Sequence, residues 1–99
     1  MKGQLQIYSI LEKDISGQTI KLLSPKTGTT TEIASQTFWW EKVEGATNYR
    51  LQIVSPSFDT TETVILDTLI SKDKFMVTLD PSGYEWRVRA GIAHVKRNG

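Results

Sequence analysis

The sequence predicts an all-β sandwich, and three observations predict it. Apolar and polar residues alternate along most of the chain, while a helical periodicity is nowhere sustained. β-Branched and aromatic residues gather in short runs separated by turn-forming residues. Trp39 and Trp40 stand side by side within one such run, so a pleated strand must send them to opposite faces of its sheet. One indole is placed to fill a core and the other to face outward.

About seven strands follow in order. Residues 4–11 (QLQIYSIL) form the first, residues 14–18 (DISGQ) a turn, and residues 19–23 (TIKLL) the second, stopped by Pro25. Residues 26–35, rich in Thr and Gly, read as a loop into the third strand at 37–43. Glu44-Gly45-Ala46-Thr47 turns the chain into the fourth strand, 49–54, which Pro56 ends. In the loop 55–60 (SPSFDT), Phe58 is the one apolar side chain and reads as a plug. Residues 63–70 (TVILDTLI), 75–79 (FMVTL) and 84–93 (YEWRVRAGIA) are the last three strands, with a tight corner at Asp80-Pro81-Ser82-Gly83.

Alternation assigns the faces. Phe38 and Trp40, then Tyr49, Leu51 and Ile53, then Phe75, Val77 and Leu79, then Tyr84, Trp86, Val88 and Ala90 point inward, as the two inner layers of a sandwich require. Arg50, Gln52, Met76, Thr78, Glu85, Arg87 and Arg89 point outward. Burying one tryptophan is worth at most roughly 4–6 kcal/mol at 25 cal/mol per Å². Trp40 and Trp86 are therefore the expected anchors, supported by Phe38 and Tyr84.

The totals exclude several functions. A chain of 99 residues is one domain of ordinary size. Twelve Lys and Arg against eleven Asp and Glu, scattered along it, give a net charge of +1 and no field to draw nucleic acid. No apolar run reaches membrane-spanning length, so insertion by this chain is not expected. Without cysteine there is no disulfide, thiolate metal site or thiol nucleophile. The one histidine, His94, has no second His or Cys to share a metal, and the Ser and Thr hydroxyls have no base beside them. Asp59, Glu62 and Asp67 are close in sequence but read as a solvated loop and strand face. No enzyme, cofactor or metal is expected.

The run Leu22-Leu23-Ser24-Pro25, then Phe38-x-Trp40-Glu41-x-Val43-x-Gly45-Ala46-x-x-Tyr49-x-Leu51-Gln52-Ile53, then Leu79-x-Pro81-x-Gly83-x-Glu85-Trp86-Arg87-Val88-Arg89-Ala90, resembles a fibronectin type III-like domain of bacterial cell-surface and lipoprotein type. The resemblance covers residues 20–90. It implies an antiparallel sandwich anchored by Trp40, with Tyr84 closing a strand-crossing loop as a tyrosine corner. It also implies an extracytoplasmic setting in the bacterial envelope.

The family's pattern departs at both ends. Its last strand is missing or stunted after Gly91, and residues 4–11 are an extra strand before its first. The expected division is an N-terminal strand and linker over residues 1–15 and the fibronectin-like domain over 16–99. The edge beside residues 84–93 is then either filled by another strand or left solvated behind Arg87, Arg89 and Lys96. Residues 4–11 can fill it from the same chain or from a neighbour as a strand-exchanged homo-oligomer.

Trp39, with Met76 and Leu23 beside it, is the candidate contact surface, unless residues 26–35 or the N-terminal strand cover it. The implied function is a non-catalytic spacer or adhesion module meeting protein domains or a cell-surface partner. The alternative is a carbohydrate-binding module that stacks a polysaccharide on Trp39.

Overall fold

The computed structural model describes residues 3–92. Among them, eight strands form two sheets: β1 (Leu5–Ser9), β2 (Leu22–Ser24), β3 (Thr29–Thr31), β4 (Ser35–Trp40), β5 (Asn48–Pro56), β6 (Thr61–Ile70), β7 (Lys74–Thr78) and β8 (Gly83–Gly91). One sheet runs β3-β1-β8-β5-β6 and the other β2-β4-β7. The chain is thus all-β, two sheets enclosing one apolar core.

That core follows the alternation. Phe38, Trp40, Tyr49, Leu51, Ile53, Leu79, Tyr84, Trp86 and Val88 are buried, joined by Leu5, Ile7 and Ile20. Phe38 meets Trp86 edge-on at 5.0 Å between ring centroids, and Trp40 meets Tyr49 likewise at 5.5 Å. The indole N–H donors of Trp40 and Trp86 have no hydrogen-bond partner among the described residues. An unpaired buried donor costs ~1–3 kcal/mol, less than the roughly 4–6 kcal/mol ceiling for burying the ring, so packing wins.

Hydrogen bonds fix the corners. The Val43 N–H donates to the Tyr49 hydroxyl at 2.9 Å, pinning the turn before β5. Gly45, at φ +83°, takes the left-handed conformation that closes this turn. The Tyr84 hydroxyl donates to the Asp80 carbonyl and ties the β7–β8 crossing to the start of β8.

Several expectations need correction. Residues 26–35 are not wholly a loop, because they contain β3. Gly28, at φ +87°, reverses the chain, and β3 then pairs antiparallel with β1, from Leu5 opposite Thr31 to Ile7 opposite Thr29. The second strand begins later than residue 19: Thr19 makes only an isolated bridge with Lys13, and the ladder with β4 begins at Leu22. Pro56 does not end its strand at 54, because as the last residue of β5, past a register shift, it needs no ladder donor. Phe75 faces inward but is 37% exposed, since β7 is an edge strand at the rim.

The edge beside β8 is not bare. β1 lies along it in the same chain, parallel, from Gln6 opposite Gly83 to Ser9 opposite Trp86. The Ile10 N–H extends the contact to the Trp86 carbonyl. Leu5 and Ile7 fall on the inner face of this strand and are fully buried. His94 and Lys96, and the end of the seventh predicted strand, lie outside the described residues.

Candidate functional site

The outer face of the three-stranded sheet carries the predicted contact residues. Trp39 follows Phe38 and precedes Trp40, both fully buried, so the pleat turns its indole outward, and it is 43% exposed. β3 is occupied with β1 and does not cover it. Met76 points the same way and is 66% exposed.

The register changes who stands beside Trp39. Its cross-strand neighbour on β7 is Lys74, while Met76 pairs with Thr37. Met76 is therefore a diagonal neighbour, typically about 7–8 Å away between strands. The Lys74 ammonium lies 6.0 Å from the Trp39 ring centroid, at the outer limit of a cation–π contact. On the other side Ser24 pairs with Trp39, and half-buried Leu23 is the extra residue of a register shift between Leu22 and Ser24. The face is an exposed indole with a flexible thioether, an aliphatic side chain and one cation around it. Such a surface offers apolar area for docking.

The outer face of the five-stranded sheet is a polar ladder. Arg50 grips Asp67 with two hydrogen bonds of 2.8 Å, and Gln52 donates to the same carboxylate at 3.2 Å. Arg50's hydrogen bonds hold the Asp67 carboxyl down to about 2, and the Asp67 hydrogen bonds in turn raise the Arg50 guanidinium. Arg87 donates to Gln52 at 2.8 Å, and Glu12 lies 3.7 Å from Arg87 and 3.4 Å from Arg89. Phe58 does plug a surface, but the outer one: its ring lies 4.0 Å from the Arg87 guanidinium, while its N–H donates to Glu85 at 2.8 Å. Every charge in the ladder faces a neighbour, which leaves little to bind a ligand. The roles of Glu12 and Phe58 had no signal in the sequence, because both partners are distant along the chain.

A polar cleft of about 480 Å³ lies between the 14–18 turn and residues 41–44. Its Asp14 carboxylate accepts from the Ser16 hydroxyl and from the backbone N–H groups of Ser16 and Gln18, and the Ser16 hydroxyl chiefly holds its pKa low. These bonds shape the turn and satisfy the carboxylate locally. Asp59 and Glu62 are exposed, and Asp67 is committed to Arg50. Among the described residues no group of His, Cys, Asp and Glu could hold a metal ion, and no helix is long and apolar enough to cross a membrane.

Fold and surface together define a two-sheet β-sandwich-like protein with an exposed aromatic face. No protein-family model, curated protein or solved structure matches the chain.

Proposed function

We propose that the chain is a non-catalytic interaction module, a spacer or adhesion domain of fibronectin type III-like kind in a bacterial surface protein, docking on a protein partner through the Trp39 face. The carrying observation is Trp39 itself, 43% exposed in a protein whose other two tryptophans are fully buried. A large apolar ring left in water beside exposed Met76 is a surface that gains by being covered. The resemblance of residues 20–90 to envelope domains supports the setting.

A carbohydrate-binding module is the second reading, favoured by the pairing of the indole with Lys74. The C–H face of a sugar ring stacks on an indole, and an adjacent ammonium donates to its hydroxyls. One experiment separates the two. Binding of the chain and of Trp39→Ala to bacterial envelope fractions is measured before and after periodate, which destroys glycans, and before and after protease. The protein-docking reading expects retention that depends on Trp39, survives periodate and is lost to protease. The reverse sensitivity supports the sugar-binding module, and retention indifferent to Trp39→Ala refutes both.

A further inference from the structure

The two sheets end in four edge strands, and they are not equally guarded. β2 and β3 span three residues each, and β2 runs into Pro25. β7 spans five residues, carries Lys74 and follows Lys72. Short length, proline and lysine are the ordinary means by which an edge is kept from pairing. β6 has none of them: ten residues, TETVILDTLI, without Lys, Arg or Pro. Two devices protect its first half, the extra residues Glu62 and Ile65 at register shifts against β5. Residues 66–70 remain regular, with backbone groups on one side unpaired by any strand among the described residues.

From this we infer that β6 is a self-association edge, pairing antiparallel with β6 of a second copy across a two-fold axis at Thr68. Three features select a second copy in that register. The regular segment 66–70 is centred on Thr68, so a two-fold axis there uses all of it. The inward positions match: Leu66 falls opposite the partner's Ile70, and both are half-buried on the inner face now. The outward positions avoid like charges, because Asp67 falls opposite the partner's Leu69, itself 66% exposed. An axis one residue earlier would set Asp67 against the partner's Asp67, and one two residues earlier would run through the bulge.

The pairing also accounts for the open seam between β6 and β7. A cleft of about 520 Å³ there is lined by Leu69, Ile70, Phe75 and Met76 together with Lys72 and Lys74. Joining two copies makes one continuous ten-strand sheet from the pair of five-stranded ones and covers part of this apolar rim. Pairing over so short a segment buries less than the roughly 1,600 Å² of a standard interface, so the dimer is weak and forms at high protein concentration. The inference uses neither Trp39 nor the fibronectin-like reading.

Sedimentation of the chain over a wide concentration series should show a monomer–dimer equilibrium. Leu69→Asp, at an exposed position that leaves thermal unfolding unchanged, places two carboxylate pairs across the axis and should weaken the dimer about tenfold, ~1.4 kcal/mol. Leu69→Lys opposes Asp67 and should leave the dimer intact or tighten it. Since the chain has no cysteine, Thr68→Cys should give a disulfide-linked dimer under mild oxidation, whereas Val64→Cys should not. A monomer at every concentration without cross-linking overturns the proposal. So does a dimer indifferent to Leu69→Asp.

Discussion

The two flanks of the sandwich are built from similar residues and end differently. On one, β1 is inserted between β3 and β8, and Leu5 and Ile7 seal the gap between the sheets with Ile20 beside them, all fully buried. On the other, β6 and β7 are both edges, and Leu66, Ile70, Val77 and Phe75 remain partly exposed. Both flanks have isoleucines and leucines on inward positions. What differs is whether another strand lies outside them, because a side chain at a sheet edge has a packing neighbour on one side only.

Removing residues 1–9 tests this contrast most severely. It takes away two fully buried side chains and the strand to which both β3 and β8 are bonded. Large core truncations cost ~2–5 kcal/mol each, against a total of about 5–15 kcal/mol, so cooperative thermal unfolding by circular dichroism should disappear. A sharp transition near that of the full chain would mean the flank is not sealed by β1.

Paired single substitutions sharpen the comparison. Ile7→Ala should cost ~2–5 kcal/mol in urea unfolding, and Leu66→Ala, half-buried on the open flank, about half as much or less. Equal costs would erase the distinction. Tyr84→Phe tests the corner that brings β8 beside β1. It removes the hydrogen bond to the Asp80 carbonyl while keeping the ring, and should cost about 0.5–1.5 kcal/mol.

The smallest expected effect lies on the open flank and depends on pH. The Asp67 carboxyl falls from 3.8 to about 2 because Arg50, and to a lesser degree Gln52, hydrogen-bonds its ionised form. A depressed carboxylate stabilises the fold above its unfolded value and loses that contribution as pH falls through its folded one. Asp67→Asn should therefore differ from the natural chain at neutral pH, with the difference fading between 3.8 and about 2 and shrinking in high salt. Acid unfolding curves that stay parallel through that window would show that the pair adds nothing.

These flanks were unequally legible. The runs around Trp40, Leu51, Ile53 and Trp86 declared their faces, because a strand buried on one side alternates wherever it lies in the sheet. Trp39 was readable for the same reason. β3 was not: a run of threonines alternates nothing, and its ladder partner is β1, far away in sequence. Lys74 opposite Trp39 was equally hidden, since a one-residue change of register substitutes one neighbour for another. Phe75 kept its predicted direction but not its predicted burial, because direction is local and burial depends on what comes next to the strand.

The sequence by itself determined the all-β class, the inward and outward sets of its central strands, and the opposed indoles of Trp39 and Trp40, since covalent geometry and pleating settle these within a few residues. Only the tertiary structure decided that β1 runs parallel to β8, that β3 closes over it, and that β6 is left at the rim. Strand order is a choice among distant segments competing for the same backbone donors and acceptors, and no local pattern records which of them wins.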